Sequence, residues 1–334
     1  MKLKELHIYR HPLPVRNAPY RMAGKQVYAV ESVIVKLVAD NGLVGWGETC
    51  PLGATYSEAH AAGAEAAIAT VAADLIGTAI TPRAINSAMD KLLHGHRYAK
   101  AAVDIATYDL LGKHYRKTVA ELLGGALTNR VPSYYALGIG DPDETARIAG
   151  DKHKQGFNRL QIKAGGRDLS ADVATAHKVH EQLKGTGVKL VVDANRGWCS
   201  RDTLLFSQQC RHIPLVIEQP CNTIEELANI QHSLQHPVYL DESTTDLATV
   251  ITIVADGLAS GFGMKLTRLG GLTPMATFRD LCESRNLPHT CDDSWGGDII
   301  AASCVHIAAT VQPHLLDGVW IAAAWIVQPS AQDR

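Results

Sequence analysis

Apolar and polar residues alternate loosely in LKELHIYRHPL near the start of the chain. AVESVIVKLVAD follows, rich in β-branched residues, and an Asn41-Gly42 turn leads into LVGWGET. Period-two alternation marks strands, and the Asn-Gly pair marks a hairpin. An antiparallel sheet is therefore predicted over residues 1–50. Between its first strands, PVRNAPYRMAGKQ carries two prolines and a glycine and reads as a loop. An alanine-rich helix is predicted over 57–76, a second over 85–96, and a third over AKAAVDIATYDLLGKHY. Residues 1–125 thus read as an α+β domain.

From residue 131 the pattern changes. Short continuous apolar runs recur, each followed by a helical pattern: VPSYYAL, RLQIK, VKLVVD, PLVIE, VYLD, GFGMK, LPHTC and LDGVWIA. Continuous apolar runs suit strands buried on both faces. Eight such units spaced roughly 22–30 residues apart fit a parallel barrel, with an open doubly wound sheet as the alternative. The barrel is predicted over residues 126–322, and residues 323–334 read as the start of a C-terminal return segment.

Composition narrows the function classes. The 334 residues are 46% hydrophobic with a formal net charge of -2, and no basic stripe points to nucleic acid. No apolar run is long enough to span a membrane, and the N-terminus lacks the apolar core of a signal peptide. The seven cysteines follow no zinc spacing, and their odd number argues against a full disulfide framework. A cytoplasmic enzyme, homo-oligomeric and free of nucleic-acid or membrane partners, is the expectation.

The predicted strands end on charge. The second run ends on Lys163, and the next four end on Asp193, Glu218, Asp241 and Lys265; Asp292 and Asp293 follow the seventh. In a barrel the C-terminal strand ends converge on one face, where the chemistry of this fold sits. A lysine is a poor helix start, so capping does not explain the set. A buried ion-pair network is the structural alternative, at a high desolvation cost. Three gathered carboxylates repel one another, and a hard divalent cation relieves them; oxygen donors alone suit Mg²⁺. Asn195 and Glu242 adjoin the acids and are expected to serve as an outer layer or to hydrogen-bond to neighbours, rather than as first ligands. The lysines flank the row on opposite sides of a substrate held there, each expected to have a lowered pKa. Opposed bases and a Lewis acid point to proton removal α to a carboxylate. Return of a proton from the other face gives racemisation or epimerisation, and a β-leaving group gives elimination. A non-catalytic, metal-stabilised binding protein is the reading from another class. Paired lysines count against it, because they weaken metal binding.

GLVGWGET, RLQIK, VVDANRGW, LVIEQP, VYLDES and FGMKLTRLGG together resemble the enolase superfamily in its muconate-lactonising branch. The resemblance implies an α+β capping domain followed by a modified TIM-type (β/α)7β barrel. It implies Asp193, Glu218 and Asp241 as Mg²⁺ ligands and Lys163 and Lys265 as the acid/base pair. The family usually carries a lysine two residues before the strand-2 base. This chain has Gln161, which points the same way as Lys163. A neutral amide cannot lower that lysine's pKa by charge, so the cation and the overall field do more of that work, or Gln161 hydrogen-bonds substrate.

Relatives that epimerise dipeptides carry an Asp-x-Asp pair on the eighth strand. Here Asp317 is followed two positions on by Val319. Trp320 on that strand, CDDSWGGD one unit earlier and Tyr56 in CPLGATYSEAH are similar to the epimerases of proline betaine and 4-hydroxyproline betaine. That likeness implies Tyr56 and Trp320 around a quaternary ammonium, with Asp292 or Asp293 adding negative field. The expected substrate is a small zwitterionic carboxylate epimerised at C2. Dehydration of cis-3-hydroxyproline or a related hydroxy amino acid is the alternative, as is another racemase or epimerase of N-substituted amino acids. Cys50, His289 and Cys291 read as lining or structural, and His60, His94 and His96 receive no role.

Overall fold

The computed structural model describes residues 1–53 and 56–327. Five strands open the chain: β1 (Leu3–Pro14), β2 (Tyr20–Met22), β3 (Lys25–Val27), β4 (Ala29–Ala39) and β5 (Val44–Thr49). β1, β4 and β5 form the expected antiparallel sheet in that order. Its register runs from Leu3↔Ala39 to Pro14↔Ala29 on one side of β4 and from Val33↔Thr49 to Val38↔Val44 on the other. Val33, Val35, Leu37 and Ala39 alternate into the core, as the period-two pattern requires.

The stretch read as a loop instead contains the hairpin β2–β3, paired from Tyr20↔Val27 to Met22↔Lys25. Gly24, at φ +64°, turns it, and Tyr20, Met22 and Val27 all turn inward. Three apolar side chains on one side of a tight turn outweighed the breakers counted in the sequence.

Three helices cover the sheet: α1 (Ala61–Leu75), α2 (Pro82–Leu92) and α3 (Arg97–Tyr115). The second lies a few residues earlier than expected. Thr81 caps its start with Pro82 in the first turn, and Gly95 at φ +67° follows its end. Gly47 on β5 meets α3 so closely that an added Cβ would lie 1.9 Å from the Ala102 carbonyl. The glycine is what lets sheet and helix touch.

Six parallel strands follow: β6 (Tyr135–Leu137), β7 (Arg159–Lys163), β8 (Lys189–Asp193), β9 (Leu215–Glu218), β10 (Val238–Leu240) and β11 (Gly261–Phe262). They hydrogen-bond in sequence order as one sheet. Parallel bridges continue the ring through Phe262↔His289 and His289↔Leu316, and Ser133↔Val319 closes it against the first stave. Helices follow the first seven staves, the last being Asp298–Ala308, while among the described residues the eighth leads only to a 3₁₀ turn at Ala322–Trp325. The barrel is therefore the (β/α)7β form, with an α+β cap. Among the described residues no helix is long and apolar enough to cross a membrane.

Two contacts fix the cap on the barrel. Glu48 of β5 accepts from the backbone N–H of Gly297 (2.7 Å) and Ile300 (3.2 Å), capping helix Asp298–Ala308. Asp104 of α3 accepts from the Thr273 N–H (3.0 Å) and hydroxyl (2.6 Å) at the start of helix Leu272–Ser284. Acid at a helix N-terminus is favourable, so the cap is held at the helices bordering the barrel mouth.

Candidate active site

Register alone assembles the charged floor. Lys163 pairs with Asp193 across β7 and β8, and Asp193 with Glu218 across β8 and β9. Tyr239 pairs with Glu218 one step along, which places Asp241 just past the end of β10. All three carboxylates are buried.

Each meets a protein donor. Lys163 Nζ lies 2.5 Å from Asp193 Oδ2. Gln161 Nε2 donates to Glu218 Oε2 at 2.8 Å. Arg268 Nη1 donates to Asp241 Oδ1 at 2.5 Å and to its backbone carbonyl at 2.7 Å. Asn195 bridges Asp193 Oδ2 and Glu242 Oε1, both at 3.0 Å. Lys265 Nζ stands 3.4 Å from Asp241 and 3.6 Å from Asp292.

The titration of these groups reflects that crowding. Burial and then the neighbouring Asp193 and Asp241 push the Glu218 carboxyl up to about 8. Burial, Asp241 and Asp193 push Glu242 up to about 7. Burial works against the charge on Asp241 too, but Arg268 and Lys265 hold its carboxyl below the usual range. Burial disfavours both lysine charges. The carboxylates outweigh it and hold Lys163 and Lys265 above the ordinary lysine value. Asp193 and Asp241 are the lysines' nearest charges, so the direction of both shifts is opposite to the lowering expected beside a cation held by these acids.

The donor set suits a hard divalent cation. The acids come from adjacent strand ends, and Glu218 Oε1 and Glu242 Oε2 are buried with no hydrogen-bond partner. Among the described residues no three His, Cys, Asp or Glu side chains already close on one point. Gln161, Lys163 and Arg268 occupy carboxylate oxygens that ligation would need.

Above this floor a cavity opens under the cap. Gln161, Lys163, Asn195, Asp241, Lys265 and Asp293 line it on the polar side. Tyr20, Trp295 and Trp320 form its aromatic wall. Trp295 and Trp320 meet edge to face with centroids 5.3 Å apart, and Tyr20 lies 5.6 Å from Trp295. Asp293 lies beside them, accepting from the N–H and hydroxyl of Thr267 (2.9 and 2.8 Å) and from Ser294 N–H (2.6 Å). Burial raises its carboxyl to about 6.

Other residues singled out in the sequence are placed differently. Tyr56 lines the cavity, but its hydroxyl donates to Asp241 (3.4 Å) and accepts from Arg268 (3.1 Å). Its ring already has Lys25 Nζ at 5.2 Å and the Arg268 guanidinium at 5.8 Å. Asp292 does not line the cavity. Its carboxylate is turned to Tyr134 and Thr290 behind Lys265. Asp317 accepts from Tyr239 and pairs with Lys189, at the opposite end of the strands. Cys50, His289 and Cys291 are fully buried away from the cavity lining. His60 caps α1, and with His94 and His96 it borders a separate cavity of the cap.

Arg268, Tyr20 and Tyr134 escaped the sequence reading. Arg268 carried a signal, lying three residues after Lys265 and so one helical turn on. Tyr134 lay in a recognised strand at period-two spacing from Ala136. Tyr20 fell in the stretch read as a loop.

Comparison with known proteins agrees with this architecture. Residues 5–124 match the mandelate racemase / muconate lactonizing enzyme N-terminal domain, and residues 144–327 match the enolase C-terminal domain-like family. The chain is 34% identical over 310 residues to a cis-3-hydroxy-L-proline dehydratase of Roseibium aggregatum, covering 92% of this chain and 84% of the relative. An enolase-superfamily member from Roseovarius nubinhibens, solved with magnesium, superposes with a TM-score of 0.91 at 29% identity, covering 98% and 88% of the two chains. A dipeptide epimerase from Enterococcus faecalis, solved with Mg and the dipeptide L-Leu-L-Tyr, gives 0.90 at 27% identity, covering 99% and 93%. Magnesium is the typical cofactor among these neighbours. The chain is an enzyme of the enolase superfamily, in the mandelate racemase/muconate lactonising family of epimerases and dehydratases.

Proposed function

We propose that this enzyme epimerises C2 of an N,N-dimethylated proline, proline betaine or its 4-hydroxy form. The carrying observation is the wall of Tyr20, Trp295 and Trp320 beside Asp293, in the same cavity as two lysines. A quaternary ammonium has no N–H to donate. Aromatic faces and one carboxylate suit it, at about 2 kcal/mol for a desolvated cation–π contact. In this reading the ammonium rests on Trp320 and Trp295. Tyr56, whose ring already has protein cations near it, orients Asp241.

Asp193, Glu218 and Asp241 would hold Mg²⁺, with Asn195 and Glu242 as the supporting layer. When bound, the ion supplies a counter-charge for these carboxylates and a Lewis acid for the substrate carboxylate. Lys163 and Lys265 work on opposite faces of the α-carbon. One takes the α-proton, and the other returns a proton to the far face. Gln161 holds Glu218 in place. The fixed positive nitrogen next to the α-carbon acidifies its proton, so the substrate contributes to its own activation.

A second reading is dehydration of cis-3-hydroxy-L-proline, favoured by the 34% identity to the Roseibium aggregatum dehydratase. It uses the same lysines and loses the C3 hydroxyl after the α-proton. One experiment separates the two. The Mg²⁺-loaded enzyme is incubated in D₂O with proline betaine, 4-hydroxyproline betaine, cis-3-hydroxy-L-proline and dipeptides, followed by NMR and polarimetry. C2 deuteration with inversion on the betaines alone is the expected result. Loss of the C3 hydroxyl from the free amino acid replaces the first reading with the second.

A further inference from the structure

Asp292 stands behind Lys265, and its surroundings leave it little freedom. Its Oδ2 accepts from the Tyr134 hydroxyl at 2.8 Å and the Thr290 hydroxyl at 2.5 Å. Its Oδ1 accepts from the Trp320 backbone N–H at 2.6 Å. The backbone is fixed as well: Asp292 and Lys265 form a parallel bridge, with Asp292 N–H on the Met264 carbonyl and Leu266 N–H on that of Asp292, both 2.8 Å. Below, the Arg159 guanidinium stacks on the Tyr134 ring at 4.0 Å. Its three nitrogens are buried with no hydrogen-bond partner.

Lys265 Nζ lies between two carboxylates, Asp241 at 3.4 Å and Asp292 at 3.6 Å. Asp241 also serves Arg268 and Tyr56 and belongs to the set assigned above to the cation. Asp292 has no such second duty. Lys163 differs, because its ion-pair partner, Asp193, is itself in that set. The two lysines are therefore mounted unequally. Among the described residues one has a dedicated anchor outside the cation set, and the other has none.

We propose that Asp292 is the positioning residue of Lys265, setting where its amine stands over the substrate α-carbon, with Tyr134 and Thr290 fixing Asp292. The inference rests on the two-lysine reading above. A lysine stem has many rotamers, and proton transfer needs the amine within hydrogen-bond reach of the carbon that it serves. A fixed carboxylate on the far side of the ammonium selects one direction. Asp292 does not touch substrate and neither gains nor loses a proton. The proton moves only between Lys265 and the α-carbon.

Single-lysine backgrounds test this. In Lys163→Ala the α-proton of proline betaine or cis-3-hydroxy-L-proline exchanges in D₂O through Lys265 alone, and in Lys265→Ala through Lys163 alone. Adding Asp292→Asn is expected to slow exchange about 10²-fold in the first background and by less than about twofold in the second, with KM little changed. Tyr134→Phe is expected to give a smaller loss with the same face preference. If each single-lysine variant fails to retain exchange on one face, the two-lysine reading falls, whatever Asp292 does. If both variants behave as expected and Asp292→Asn slows both equally, the positioning role is overturned. A crystal structure of Asp292→Asn with the Lys265 amine unmoved also overturns it, independently of any substrate.

Discussion

On the barrel floor charge answers charge, with Lys163 on Asp193 and Arg268 on Asp241, while the neutral amide of Gln161 donates to Glu218. On the wall above, Tyr20, Trp295 and Trp320 line the cavity together with one carboxylate, Asp293, which accepts from the neutral donors Thr267 and Ser294. The floor is an ion-pair lattice in which removing a member strands its partner. Such a loss costs about 3–5 kcal/mol in a buried pair. The wall is an apolar surface with one acid, where a ligand cation finds π faces and a single counter-charge. The floor is therefore suited to the reaction that the family shares, and the wall to choosing the substrate. Changes to the floor are expected to abolish turnover of every substrate. Changes to the wall are expected to alter relative rates.

The largest effect tests the floor as a cation site. Glu218→Gln keeps the side-chain shape and removes a charge. It is expected to lower kcat by roughly 10³-fold or more and to weaken Mg²⁺ binding, read by calorimetry, while the thermal transition persists. Asp193→Ala and Asp241→Ala should do the same, with an added loss of stability from the stranded Lys163 or Arg268. Full turnover by any of the three after treatment with a chelator would erase the proposed division between floor and wall.

Next come the lysines, which separate the two faces of the floor. Lys163→Ala is expected to lower epimerisation about 10²- to 10⁴-fold in both directions. Exchange of the α-proton from one enantiomer should survive through Lys265. The reciprocal result is expected for Lys265→Ala, with label entering from the other face. Normal epimerisation by Lys163→Ala would require a different base.

The floor was readable in the sequence because it is built by register. Five consecutive apolar runs ended on charge, and parallel strands bring such ends together with no further information. The wall was only half readable. Trp320 and Asp293 lay next to recognised strands, but Tyr20 comes from a hairpin concealed in a proline-rich stretch. Its partners, Trp295 and Trp320, are remote in sequence, and no local pattern encodes the packing of Tyr20 against them. Asp292 and Asp293 show the same limit at one-residue resolution. They are adjacent acids, yet opposite side-chain directions send one behind Lys265 and the other into the cavity. Arg268 was missed because a strand-end rule ignores the first turn of the helix that follows.

A smaller effect tests the wall. Trp320→Leu keeps an apolar side chain, though a smaller one, and removes the π face. The expected loss in kcat/KM is about tenfold or more for proline betaine, and less for free proline-type substrates. An equal loss for both would make the aromatic wall ordinary lining and favour the dehydratase reading.

The smallest effect concerns Asp293, whose carboxyl is raised by burial to about 6. A carboxylate that recognises an ammonium must be ionised. Because its pKa lies above the ordinary value, it is charged above pH 6 and neutral below. Between pH 7 and pH 5 the ionised fraction falls about tenfold, and binding of a quaternary ammonium is expected to weaken by the same factor. The measurement is the dissociation constant of proline betaine for the epimerisation-deficient Lys163→Ala enzyme across that range, read by tryptophan fluorescence. Asp293→Asn should bind more weakly at pH 7 and show no such slope, since an amide does not titrate. Among the described residues the aromatic wall holds no second acid, because Asp292 is turned away behind Lys265. A slope that persists in Asp293→Asn would place the titrating group on the floor, and the ammonium would then be recognised by the carboxylates there.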